Sequence, residues 1–141
     1  MKKAEVHTTN YFDTFIEVAE DCKALASEVP PLRGAALSIA NIQYDLIARH
    51  PYQYTSDDVI FHCFATKHDL TQKERKKARE LFFSKGQACL RSSPLTKRYG
   101  WGIHCNEEGK VALVAMESKE YQKLRQDPKL KHVKAMRSKR A

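Results

Sequence analysis

Between Arg91 and His104 the chain gathers most of the side chains able to bind a ligand or react with one. Ser92 and Ser93 precede Pro94, Lys97 and Arg98 stand side by side, Tyr99 and Trp101 alternate with Gly100 and Gly102, and His104 closes the stretch. It contains the only Trp and two of the five Gly. Hydroxyls and cations supply donors and positive charge, and side-chain-free backbone lets an anion come close. Flat aromatic faces suit a base or a sugar. The stretch therefore predicts a site for a phosphate, carboxylate or nucleotide, built from Ser92, Ser93, Lys97, Arg98, Tyr99, Trp101 and His104. The bland alternative packs Tyr99 and Trp101 in the core, uses the glycines to admit a helix, and leaves Lys97 and Arg98 solvated. Tyr54 and Asp57 join the ligand-binding set if their loop meets this stretch. Otherwise Tyr54 covers the core and Asp57 caps a helix. The GxxxxGK[ST] spacing of a P-loop is absent.

Catalysis asks for more. A nucleophile needs an activated hydroxyl or thiol. Ser92 or Ser93 with Lys97, and Cys105 beside His104, are the candidates, and there is no GxSxG elbow. Neighbouring strand residues point to opposite faces, so His104 is badly placed to activate Cys105. No residue is assigned a catalytic role. Metal binding has Asp57, Asp58, His62, Cys63, His68, Cys89, His104 and Cys105 to draw on, and none shows CxxC, HxxxH or HExxH spacing. Asp58 and His62 are four apart and share a face only on a helix. No metal site is expected, and no motif calls for a cofactor.

Charge narrows the partners. The chain of 141 residues has a net charge of +8, and the surplus is uneven. Residues 110–141 hold 10 Lys+Arg against 3 Asp+Glu, while residues 1–109 hold 15 against 14. A near-neutral body with a basic last quarter suggests an acidic partner such as RNA or DNA. The basic residues there are Lys119, Lys123, Arg125, Lys129, Lys131, Lys134, Arg137, Lys139 and Arg140. No RNP, helix-turn-helix, KH or zinc-finger signature supports sequence-specific readout. The plainer alternative is a solvated basic surface.

Length and a hydrophobic share of 42% predict one globular domain. Residues 1–6 and about 129–141 read as flexible tails. No apolar run approaches the roughly 20 residues of a membrane span. Met1-Lys2-Lys3 is not followed by an apolar run, so no signal peptide is expected and the location reads as cytoplasmic. The four cysteines lie outside CxxC pairs and read as reduced thiols.

Several elements must position these groups. Alternation of β-branched and aromatic residues predicts a strand near 13–19. Lys23 to Val29 has room for a short helical turn, and Pro30-Pro31-Leu32-Arg33-Gly34 is a loop. Ser38 is placed to cap a helix over 39–49, which Pro51 ends. For 57–66 the hydroxyls and carboxylates ahead favour a helix, yet Val59, Phe61, Cys63 and Ala65 also alternate as a strand would. Thr71-Gln72-Lys73-Glu74 is a capping box that opens a helix to about Ser84. Ala78, Leu81 and Phe82 are expected inward, with Gly86 just past its end. Strands near 99–105 and 110–116 form a hairpin about Asn106-Glu107-Glu108-Gly109. Ser118 caps a last helix to Gln126. The class is α+β: a small antiparallel sheet of strands near 13–19, 99–105 and 110–116, with three to four helices packed on one face.

Three segments together look familiar: His7-Thr8-Thr9-Asn10-Tyr11, Pro51-Tyr52…Tyr54-Thr55-Ser56-Asp57-Asp58-Val59, and Ser93-Pro94-Leu95-Thr96-Lys97-Arg98-Tyr99-Gly100-Trp101-Gly102-Ile103-His104. With Lys134-Ala135-Met136-Arg137-Ser138, they resemble a family of small bacterial proteins catalogued as a domain of unknown function. The resemblance covers roughly residues 7–138. It implies a single domain and carries no activity, cofactor or catalytic residue. The leading expectation is thus a non-catalytic module binding RNA, DNA or a small anionic ligand through residues 91–104 and the basic C-terminal region. The alternative is a small-molecule transferase or hydrolase with a cleft around His104 and Trp101, His104 acting as acid or base. A third is a protein-interaction module using the basic 73–79 helix face.

Overall fold

The computed structural model describes residues 7–32 and 34–138. The tail expectations for residues 1–6 and 139–141, Lys139 and Arg140 included, lie outside them. The chain is α+β. In order it forms β1 (Thr14–Glu17), α1 (Ile39–Arg49), α2 (Ser56–Lys67), α3 (Gln72–Phe82), a short α4 (Pro94–Lys97), β2 (Trp101–Cys105), β3 (Val111–Ala115), α5 (Lys119–Gln126) and β4 (Lys131–Lys134). The sheet order is β3-β2-β1-β4. β2 runs antiparallel to both β3 and β1, with Ile103 opposite Leu113 and Ile16. β4 lies parallel to β1, with Phe15 opposite His132. The sheet is therefore mixed, and a strand occupies part of the segment expected as a tail. Its sequence, Lys131-His132-Val133-Lys134, is charged and short, which suits an edge strand but gives periodicity nothing to detect.

Both faces of β1 are covered. Ile16 turns toward α1, α2 and α4 and meets Ile47, Val59, Leu95 and Ile103. Phe15 turns the other way and packs edge-on against Tyr121 of α5, ring centroids 5.0 Å apart. Each of these buried side chains contributes about 1.5–3 kcal/mol through burial. The helices thus divide between the two faces instead of sharing one. Gly102 makes the second face possible: a Cβ there would lie 2.8 Å from the Tyr121 ring and 2.9 Å from Phe15.

Local signals decide the helix starts. Ser38, Thr55 and Thr71 each accept from the backbone N–H three residues on, and Asn41, Asp58 and Glu74 return the bond to the cap. Residues 56–67 are helical, which resolves the helix-or-strand ambiguity in favour of the capping residues. Ser118 caps α5 as expected.

Three further expectations are corrected. Residues 23–29 form no helix; Trp101 and Tyr99 hold that segment in irregular form through hydrogen bonds to Glu28. α3 stops at Phe82 with Phe83 as its cap, and Gly86 does not take the left-handed conformation. Leu81 is 68% exposed while Phe83 is buried. The reason is that α3 rides on α2 as an outer layer, touching it through Phe82 and Phe83 around Phe61. Only one narrow edge of the helix is covered.

Among the described residues no helix is long and apolar enough to cross a membrane. All four cysteines are free thiols. Burial pushes Cys63 up to about 11 and Cys105 to about 12, so both stay protonated and unreactive at neutral pH.

Candidate functional site

The stretch from Ser92 to His104 crosses the molecule rather than lining one cleft. Ser93 is buried; its hydroxyl donates to Gln43 Oε1 and accepts from the Leu95 N–H at 3.2 Å, capping α4. Ser92 donates to the Cys89 carbonyl at 2.8 Å. Both serines border a largely apolar cleft of about 440 Å3 with Ile60, Cys63, Phe64 and Cys89. Their polar atoms are spent on the protein itself.

Lys97 and Arg98 lie at the far end of α4, where the chain leaves for β2. They line a different hollow, of about 390 Å3, with Lys23, Asp21 and Ser138. Backbone hydrogen bonds stitch this corner together. Ala19 N–H donates to the Thr96 carbonyl at 3.0 Å and Met136 N–H to the Arg91 carbonyl at 2.8 Å. Arg91 Nε returns a bond to the Lys134 carbonyl at 2.8 Å. Lys134 and Arg137 both pair with Glu20, the former at 2.9 Å. Those two cations hold the Glu20 carboxyl down at about 2. Lys23, Lys97, Arg98 and Asp21 therefore border one hollow, and the C-terminal segment, with Lys134 and Arg137 on Glu20, is bonded alongside it. Sequence reasoning named Lys97, Arg98, Lys134 and Arg137 in two separate places. It missed Lys23, a single cation in an irregular segment with no local signal.

Tyr99 and Trp101 turn inward as core cover. Trp101 Nε1 donates to the Glu28 carbonyl at 2.8 Å, and its ring leans on Tyr44 of α1, centroids 5.6 Å apart. The Tyr99 carbonyl accepts from the Glu28 N–H at 2.9 Å. Gly100 holds φ of +75°, and a Cβ there would meet the Ala26 carbonyl oxygen at 2.9 Å. The aromatic pair and the glycine thus pin the 26–28 loop.

His104 belongs to the opposite face of the sheet, beside α5, because strand residues alternate. The single cleft expected around His104 and Trp101 is not formed, since the sheet separates them. His104 Nδ1 lies 2.8 Å from the Tyr52 hydroxyl. Burial lowers its pKa below the ordinary histidine value, against the pull of Glu120, Asp13 and Asp127. Tyr52 holds φ of 59°, a strained conformation for an aromatic residue.

Asp57 is taken up by the N-terminal segment. It accepts from Thr9 N–H at 2.6 Å, Thr9 Oγ1 at 2.7 Å and Thr8 Oγ1 at 2.7 Å. Its own N–H donates to Asn10 Oδ1 at 2.9 Å. Two of the three familiar segments are therefore bound to each other, and both oxygens of this carboxylate accept hydrogen bonds from the chain. Tyr54 covers the core and borders a third hollow, between α2 and α3. Among the described residues no group of three or more His, Cys, Asp or Glu could hold a metal.

The model of a family described as a family of unknown function (DUF6157) matches residues 6–141. No curated protein and no solved structure matches the chain.

Proposed function

The chain belongs to that family of unknown function, and from that premise we propose that it is a non-catalytic binder of polyanions, with RNA or DNA as partner. The observation that carries this reading is the convergence of Lys97 and Arg98 with Lys23 and the C-terminal segment around one hollow. Lys23, Lys97 and Arg98 border it against one carboxylate, Asp21, and Lys134 and Arg137 of the C-terminal segment pair with Glu20 alongside. Such a surplus releases counterions when it meets a phosphate backbone, and that term dominates non-specific nucleic-acid affinity. The groups lie on an exposed corner, which suits a polymer passing across the surface. Tyr99 and Trp101 contribute by fixing the corner's shape, and stacking is no part of the binding.

The test is fluorescence anisotropy of end-labelled single- and double-stranded oligonucleotides across a salt series. Binding is expected to weaken steeply with salt, by a log–log slope of about −0.7 per contact on single strands and −0.9 on duplex. Lys97→Gln with Arg98→Gln is expected to reduce that slope by about two contacts. Salt-insensitive binding, or an unchanged slope in the double variant, overturns the reading.

A further inference from the structure

The hollow between α2 and α3 is cationic in a different way. It encloses about 600 Å3 and is bordered by Arg75, Lys76 and Arg79 on α3, by Asp58 and His62 on α2, and by Tyr54. Arg79 is accounted for. It pairs with Asp58 at 2.9 Å and lies over the Phe61 and Phe83 rings at 5.7 and 5.6 Å. Asp58 also accepts from the Thr55 N–H at 3.0 Å. Burial works to raise this carboxyl, but the Thr55 bonds and the Arg79 guanidinium outweigh it and hold it below the ordinary range. Asp58 therefore has no charge left over for the other two cations. Glu74 is turned back onto the Thr71 N–H at the helix start, 2.9 Å away.

Arg75 is not accounted for. Its Nε is enclosed and has no hydrogen-bond partner among the described residues. A guanidinium nitrogen in that position costs free energy unless an acceptor reaches it. Lys76 sits beside it, and among the described residues that border the hollow Asp58 is the one carboxylate. Burial, then the charge of Arg75, pushes His62 below the ordinary histidine value, with Asp45 opposing. The hollow thus carries an uncompensated charge of about two, a neutral imidazole able to donate, and an apolar wall from Leu46, Phe61 and the Tyr54 ring.

We propose that this hollow is a binding site for a small organic phosphate, its phosphoryl group held by Arg75 and Lys76 and its compact apolar or aromatic body laid against Phe61 and Tyr54. A phosphate monoester carries about −1.5 to −2 at neutral pH, which matches the surplus. Guanidinium and ammonium donors suit its oxygens. No lining residue is shared with the Lys97 corner, so the two sites are distinct.

Phenyl phosphate is the probe, with phenol and inorganic phosphate alongside. Binding to the full chain is followed by titration calorimetry, and the His62 imidazole by NMR. Phenyl phosphate is expected to bind saturably, phenol not at all, and inorganic phosphate more weakly for want of the apolar body. The apparent pKa of His62 is expected to rise on binding. Arg75→Gln is expected to weaken phenyl phosphate at least tenfold and Lys76→Gln about fivefold, while Lys97→Gln with Arg98→Gln leaves it unchanged. Arg75 Nε has no partner among the described residues, so Arg75→Gln removes no bond made there through that atom. Should that variant nonetheless fail to fold, the exposed Lys76 position decides. Absence of saturable binding, wild-type affinity in the folded Arg75 or Lys76 variants, or loss of binding in the Lys97/Arg98 variant overturns the proposal.

Discussion

Two cationic regions of this molecule differ in how their charge is assembled. At the Lys97 corner the cations come from the irregular segment after β1 and from the end of α4, with β4 and its continuation bonded alongside. Tertiary hydrogen bonds bring them together, and Glu20 neutralises part of the charge. In the α2–α3 hollow the cations come from one helix face, Arg75, Lys76 and Arg79, and Arg79 takes the carboxylate of Asp58. The first draws its cations from separate segments around a hollow of about 390 Å3, the second from neighbouring positions of one helix around a hollow of about 600 Å3 that holds the enclosed Arg75 Nε. The difference teaches that a count of charges does not set the ligand. Spacing does, because cations spread over several segments can follow a phosphate backbone while neighbours on one helix turn converge on a single phosphoryl group.

The largest expected effect sharpens that contrast. At about 50 mM salt the Lys97→Gln/Arg98→Gln protein is expected to bind duplex DNA about 100-fold more weakly, from two lost phosphate contacts. Its affinity for phenyl phosphate stays put, and Arg75→Gln shows the reverse pattern. A single variant that weakens both ligands equally breaks the comparison.

Next comes the tie between the N-terminal segment and α2. Asp57→Ala removes an acceptor serving three donors on Thr8 and Thr9. A loss of roughly 2–4 kcal/mol in denaturant unfolding is expected, since hydrogen bonds to charged groups contribute about 1.5–3 kcal/mol each and these are partly solvated. Once folded, the variant is expected to bind oligonucleotide as wild type. Loss of binding without loss of stability makes Asp57 a ligand-contacting group after all.

Gly100→Ala acts on the other region. It meets the Ala26 carbonyl and Met116 Sδ and sits at positive φ. A destabilisation of about 1–3 kcal/mol is expected. Oligonucleotide binding should drop through displacement of the 23–28 segment, with phenyl phosphate binding retained in the folded fraction.

Glu20→Gln is the smallest and goes the opposite way. It releases Lys134 and Arg137, so oligonucleotide affinity is expected to rise a few-fold at low salt. The depressed folded pKa of Glu20 means its ionised form supports the fold at neutral pH. That support is lost only as pH falls below the ordinary carboxylate range through about 2. A wild-type acid-unfolding curve in the Gln variant argues that the pair is slack in solution.

Much of the fold is legible because its signals are local. The capping residues Ser38, Thr71 and Ser118 place three helix starts, and Gly109 at φ +79° closes the hairpin where the turn residues stand. Even the separation of His104 from Trp101 follows from strand alternation, which on its own argues against a shared cleft. The inward face of α3 was not legible. Leu81 and Phe82 are both apolar, and only the presence of α2 on one side decides that Leu81 is left outside. β4 was not legible either, since an edge strand needs a partner more than a pattern.

By itself the sequence determined the α+β class, the helix caps, the central hairpin and the surplus of positive charge, all of which depend on neighbours within a few residues. The tertiary structure alone decided that Ser93 and Asp57 are spent on internal bonds, that Lys23 joins Lys97 and Arg98, and that Arg75 is enclosed with no acceptor among the described residues. Those outcomes depend on which distant backbone atoms come within about 3 Å, and hydrogen-bond reach is a property of the packed chain.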